Sequence, residues 1–258
     1  MMMPTVDFNL PLDEGTKGHF AEHGFATVPR ITTDEEAAWF VTVYDRLLLD
    51  RLESARRRPG GLNGPTNNTL WISLNRWEAL VFERTALLRN ARQMAARLLE
   101  VPTDGITVGM RFFFKPARGG KPVPWHQDEA HKDPTVDHHS LNVWVPFEPS
   151  TEANGCLRHI PGSHLEGVLV HRHPGYGAPE VALTTDDVRP CDAMPVLLPA
   201  AGASFHHCRT VHASGPNLTN DHRRAMVLVC SAPPRPRASP ANRPWLNAQH
   251  TEVPETSF

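Results

Sequence analysis

The chain has 258 residues, 40% of them apolar and 21% charged, with a formal net charge of −2. That length suits one domain with a sizeable core, and the charge balance gives no basic excess to draw in nucleic acid or an anionic lipid surface. No apolar run approaches the ~18 residues of a membrane span. The N-terminus lacks a basic segment followed by an apolar one, so no signal peptide is expected and a cytoplasmic protein follows.

Residues 14–24 read as a short helix stopped by Gly24, since glycine suits the left-handed residue that closes a helix. Residues 25–28 (FATV) read as a strand before Pro29. The stretch TTDEE at 32–36 starts a longer helix, with a threonine cap followed by acids at the positive end of the dipole. Trp39, Val43 and Leu47 continue it at helical spacing. Residues 59–69 are a Gly/Pro/Asn loop, and 78–99 a further helix.

After residue 100 short apolar runs alternate with turn residues: GITVGMRFFFKP, SLNVWVPFEP, GCLRHIPGS, ASFHHCRTVHASG and RRAMVLVCSAPP. Runs of five to eight residues at this spacing are strands of an all-β core, and most of the 25 prolines lie in this half, against long helices there. The expected architecture is a single domain over 1–258. It has a mainly helical region at 1–100, a jelly-roll core at 101–235 covered on one face by the helices, and a Pro-rich tail at 236–258. The four cysteines form no C-x-x-C pair and are read as free thiols.

Fifteen histidines are present, and the question is which few are ligands. Trp125-His126-Gln127-Asp128 holds an H-x-D. In extended backbone, residues i and i+2 point to one side, so His126 and Asp128 can reach one metal; alone the pair is weak, because hydrogen-bonded H-x-D pairs are common. His212, in Thr210-Val211-His212-Ala213-Ser214-Gly215-Pro216-Asn217, comes 84 residues after Asp128. That separation lets a late strand return beside an early one and complete a two-histidine, one-carboxylate face, which leaves positions open on Fe(II). Asn154-Gly155-Cys156-Leu157 running to Pro161-Gly162-Ser163-His164 is, by itself, a strand and a turn.

Taken in order, W-H-Q-D, then N-G-C-L-x-x-I-P-G-S-H, then H-x-S-G-P-N with Arg223 eleven residues after His212, the set resembles the phytanoyl-CoA dioxygenase family over roughly residues 18–232. Each motif alone is common; the ordered combination is specific. The resemblance implies a double-stranded β-helix core and an Fe(II)/2-oxoglutarate-dependent dioxygenase that consumes O₂ and hydroxylates a small organic metabolite, with many members acting in secondary metabolism. It implies iron ligands at His126, Asp128 and His212, and a carboxylate-clamping arginine at Arg223, whose planar fork suits that task. Ser214 matches a hydroxyl beside the same carboxylate, and Trp144 a tryptophan near the cosubstrate. Gln127 and Lys115 are further pocket candidates. A one-residue change of register would give the clamp to Arg224 instead. Relatives that halogenate carry Ala or Gly where Asp128 stands, so hydroxylation, desaturation or another oxygen-derived outcome is favoured here over halogenation.

His131, His138, His139 and His164 are read as solvated or structural, and His206 and His207 as packing or backbone-bonded. The loop at 59–73, the 112–114 strand and the segment after 165 are expected to set specificity, with Trp71 as one apolar wall. The competing readings are a non-catalytic jelly-roll metal-binding protein, a cupin-type isomerase with no need of a carboxylate clamp, and the same oxidant with a desaturation, epoxidation or rearrangement outcome. A small-molecule substrate is expected, of identity not legible in the sequence; the oligomeric state is not legible either.

Overall fold

The computed structural model describes residues 3–4, 6–10, 13–56, 70–74, 79–173 and 183–246. Two sheets face each other as a double-stranded β-helix, with helices packed on the outside of the larger one. Helix α1 (Glu14–His23) is capped by Asp13, whose side chain accepts from Thr16 N. It ends at Gly24, with φ 80°. A Cβ at Gly24 would lie 2.5 Å from His164 Nδ1 and 2.6 Å from Thr210 Oγ1, so this stop is also a close approach that only glycine allows. Strand β1 (Phe25–Val28), helix α2 (Asp34–Arg56), strand β2 (Leu70–Ser73) and helix α3 (Ala86–Leu98) complete the N-terminal half.

Helix α3 begins at Ala86, later than the sequence suggested. Thr85 caps it by accepting from Leu88 N, and the buried Glu36 carboxylate from α2 accepts from the Ala86 and Leu87 N–H groups at 2.8 and 2.9 Å. Two buried donors that the helix itself leaves unpaired thus meet an anion, which fixes the boundary. Strand β2 was not expected; a four-residue edge strand next to a glycine-rich stretch has little pattern of its own and gains its geometry from pairing with its neighbour. The loop at 59–69 and the side chain of Trp71 lie outside the described residues.

The remaining strands are β3 (Thr107–Lys115), β4 (Val123–His126), β5 (Val136–Asp137), β6 (Ser140–Pro146), β7 (Leu157–His159), β8 (Met194–Pro195), β9 (Ala203–His207), β10 (His212–Ser214), β11 (Arg223–Ser231) and β12 (Arg235–Pro236). The larger sheet runs β1-β9-β6-β11-β3-β2, and the smaller β4-β10-β7-β8. Both edges of the larger sheet therefore come from the N-terminal half. Strand β12 returns to pair with β5, and the tail beyond it buries Arg243 and Trp245.

Strand alternation divides the larger sheet into two chemistries. On β11, Met226, Leu228 and Cys230 join the helix-covered core, as do Leu141, Val143 and Val145 on β6. Phe40, Tyr44 and Leu48 of α2, and Leu87, Ala91 and Met94 of α3, meet them there. Phe40 stacks on Phe82 with ring centroids 5.3 Å apart. Each such aromatic contributes about 1.5–3 kcal/mol through burial. The intervening residues, Arg223, Val227 and Val229 on β11, Asn142 and Trp144 on β6, and Arg111 and Phe113 on β3, line the interior between the sheets. All four cysteines are free, and among the described residues no helix is long and apolar enough to cross a membrane.

Candidate active site

The interior holds a cavity of about 450 Å³ that includes His126, Asp128 and His212. His126 ends β4 and pairs directly with His212 on β10. Asp128 opens the 3₁₀ turn that follows. The candidate ligand atoms of the three all lie within 4.8 Å of one another. His126 Nε2 is 3.8 Å from Asp128 Oδ1, and His212 Nε2 is 3.7 Å from Asp128 Oδ2.

The imidazoles are oriented by backbone. His126 Nδ1 donates to Pro124 O and His212 Nδ1 to Thr210 O, both at 2.9 Å. A proton fixed on Nδ1 leaves the Nε2 lone pair for a metal. Burial pushes the His126 and His212 imidazoles down to about 4. Burial opposes the Asp128 charge, but His212, His206 and His126 around it hold the carboxyl well below the usual carboxylate range. At neutral pH the set is two neutral imidazoles and one carboxylate, the protonation state a divalent metal needs.

Two residues not singled out as site residues stand behind Asp128. Asn142 Nδ2 donates to Asp128 Oδ2 at 2.6 Å. His206 Nε2 lies 3.4 Å from the same oxygen. His206 was expected to pack or bond to backbone; instead it lines the cavity, in the same cross-strand row as Asn142.

Arg223 is 2% exposed, and its Nε and Nη1 find no acceptor. Its guanidinium lies 5.3 Å from the Trp144 ring centroid. Burial lowers its pKa to about 10, so it stays charged at neutral pH. A buried cation with unmet donors at the cavity wall asks for an anion. Arg224 points the other way and is committed. It donates through Nη1 to both Asp45 oxygens (2.8 and 2.7 Å) and through Nε to Glu148 Oε1 at 2.6 Å. Alternation along β11 thus gives the cavity to Arg223.

Ser214 lines the cavity and Trp144 forms part of its wall. Lys115 is placed differently from expectation: it does not line the cavity but stands behind Ser214, donating from Nζ to Ser214 Oγ at 2.9 Å and to Gly215 O. Gln127 does not reach the cavity at all. Between two residues that face inward, extended backbone turns it outward. Its amide is spent on Gly167 O (2.7 Å), Arg209 O (2.6 Å) and Leu169 N (2.7 Å), fastening two loops. Gly155, with φ 78°, carries the neighbouring turn against β10: a Cβ there would lie 2.3 Å from Gly215 O.

The sequence model of the phytanoyl-CoA dioxygenase family matches residues 20–225. The chain belongs to that family. Its members are Fe(II)- and 2-oxoglutarate-dependent oxygenases, and the His-Asp-His face with the unmet Arg223 guanidinium fits that cofactor set. The crystal structure of EvdO2 from Micromonospora carbonacea var. aurantiaca is 31% identical, with a TM-score of 0.82, and covers 93% of this chain and 99% of that one. The same protein complexed with 2-oxoglutarate gives 32% identity, a TM-score of 0.81 and the same coverage. A probable alpha-ketoglutarate-dependent hypophosphite dioxygenase from Stutzerimonas stutzeri is 33% identical over 123 residues, 46% of this chain and 42% of that one. The match covers about half or less of the curated relatives' length.

Proposed function

We propose that this protein is an Fe(II)/2-oxoglutarate-dependent oxygenase that hydroxylates a small organic metabolite, of the kind met in secondary metabolism. The observation that carries the reading is the pairing of a His-Asp-His face with a buried, unsatisfied Arg223 in one cavity. A cupin-type isomerase would have no use for that arginine. Family membership and the likeness to EvdO2, which has been seen with 2-oxoglutarate, support it.

His126, Asp128 and His212 would hold the iron, and Arg223 with Ser214 the far carboxylate of 2-oxoglutarate. Bound together, iron, 2-oxoglutarate and O₂ supply the oxidant, with CO₂ and succinate as co-products. The chain's own work is positional. The Nδ1 bonds to Pro124 O and Thr210 O keep both imidazoles aimed at one point, and Asn142 keeps the Asp128 carboxylate from rotating. Arg223 fixes the cosubstrate's length against that point, with the Trp144 face beside it. Phe113, Val123, Leu157, Val227 and Val229 give the cavity an apolar lining that excludes water and presents C–H bonds of a substrate.

The test is succinate formation by anaerobically purified protein given Fe(II), ascorbate, 2-oxoglutarate and air, beside the Asp128→Ala variant. Succinate from the wild type alone is expected. Equal amounts from both would overturn the reading.

A further inference from the structure

The charge on the cavity wall is lopsided in a way the oxygenase reaction does not use. Asp128 is the only carboxylate among the described residues that line the cavity, while Arg111, Lys132 and Arg223 all do. Assigning Asp128 to the metal and Arg223 to 2-oxoglutarate leaves two cations over, in a chain whose overall charge is −2.

Arg111 sits on β3 with its Cα paired to Val227 of β11 on one side and Ser73 of β2 on the other. It is exposed at the cavity mouth, and no ion pair to a described carboxylate neutralises it. Lys132, on the turn that follows Asp128, donates from Nζ to the neutral hydroxyl of Ser140, so its charge also stays uncompensated. The Lys132 ammonium therefore sits against the β6 end of the larger sheet, and Arg111 stands on β3 of the same sheet, apart from it. Arg111 is two strands away from β6, where Asn142 holds Asp128, a lateral separation of roughly 10 Å. Phe113, Val227 and Val229 pave the interval.

We propose that the substrate is an amphiphilic organic oxyanion, a carboxylate or phosphate ester carried on a short apolar segment, with Arg111 anchoring the charged end. The apolar segment spans the paved interval and brings its C–H bonds to the metal face. This rests on the proposed oxygenase reading of the same cavity. A guanidinium can bond either headgroup through two parallel N–H···O bonds, so the headgroup is decided by experiment.

The experiment is anaerobic calorimetry on the Fe(II)-loaded protein saturated with 2-oxoglutarate, with octanoate, octyl phosphate and the neutral octanamide as probes. Saturation keeps the probes off Arg223. At least one anion is expected to bind, with octanamide at least about tenfold weaker, about 1.4 kcal/mol. Arg111→Gln should weaken the anion by a similar factor, Arg111→Lys by less, and added salt should reduce the difference. The tighter anion identifies the headgroup. Octanamide binding as well as both anions, none of the three binding, or Arg111→Gln leaving anion binding within twofold would each overturn the proposal. Succinate formation is followed in parallel. Its absence with and without probes takes down the oxygenase reading while the binding result stands; its presence with failed binding takes down only the oxyanion anchor.

Discussion

His126 and His212 face each other across the β4–β10 pair, their ring centroids 4.2 Å apart. Residues far apart in the chain are thus brought to one point by antiparallel register. His212→Ala should leave a folded protein that no longer retains stoichiometric iron on gel filtration and forms no succinate. Retained iron at one per chain would show that a different set of residues holds the metal.

Asn142 is not one of the proposed metal ligands, yet it holds Asp128, the carboxylate proposed to bind the metal. Asn142→Ala should lower iron affinity by about 10–100-fold, the usual cost of losing a partner that orients a ligand. Iron titration at constant 2-oxoglutarate reads this directly. The KM for 2-oxoglutarate at saturating iron should move much less.

Adjacent arginines on β11 should separate cleanly in their effects. Arg223→Ala should weaken 2-oxoglutarate by about 2 kcal/mol or more, the scale of truncating one partner of a buried charge pair, with little change in Tm. Arg224→Ala should do the reverse. It breaks the tie from β11 to Asp45 and Glu148, costing about 1–2 kcal/mol of stability for partly exposed charge-assisted bonds, with the affinity for 2-oxoglutarate retained.

Lys115 should make the proposed cosubstrate site sensitive to pH. Burial pushes its ammonium down to about 6, and Arg223 pushes the same way, while Cys156 acts weakly in the opposite sense. The free protein therefore holds a neutral lysine at pH 7.5. A carboxylate seated on Arg223 and Ser214 favours the charged form and raises that pKa, so binding takes up a proton above about pH 6. Affinity for 2-oxoglutarate falls as pH rises through this window. Calorimetry in two buffers of different ionisation heat should register the uptake. Zero uptake, with affinity flat from about pH 6 to 9, would remove Lys115 from the cosubstrate's surroundings.

The C-terminal segment acts on the metal motif from below. Arg243 donates from Nη2 to the buried Glu129 carboxylate at 2.7 Å and from Nη1 to Lys132 O at 2.8 Å, and Trp245 Nε1 donates to Ala130 O. These are the residues that follow Asp128. Arg243→Ala leaves Glu129 with Arg209 at 3.3 Å and Arg237 at 3.9 Å. The cost should fall at the lower end of the ~3–5 kcal/mol typical of a broken buried pair. Chemical denaturation measures it, and iron affinity should drop with it.

Much of this site is legible in the sequence because it rests on period-two geometry. H-x-D puts His126 and Asp128 on one side, and alternation on β11 sends Arg223 inward and Arg224 outward. The same rule, applied to Gln127 between two inward residues, would have excluded it. Asn142 and His206 were harder to see. Strand β6 is buried along its whole length, so exposure does not tell its two faces apart; the signal was the alternation of Ser140 and Asn142 with Leu141 and Val143. Lys115 reads as a pocket lysine because its strand position is right, but the seat beside it belongs to Ser214, which β10 places between the two. The start of α3 depended on Glu36, a residue of another helix, and nothing local encodes it.

Strand β11 is held on both flanks, by β3 and β6, along most of its length. A slip by one residue would turn Arg224 and Met226 toward the interior and Arg223 toward the helices. Such a chain could keep its strand content, bury comparable area and stay in solution while offering the cosubstrate a displaced arginine and turning Val227 and Val229 away from the cavity. For this protein, the fraction of molecules that take up 2-oxoglutarate is therefore a stricter assay of correct folding than yield, solubility or circular dichroism.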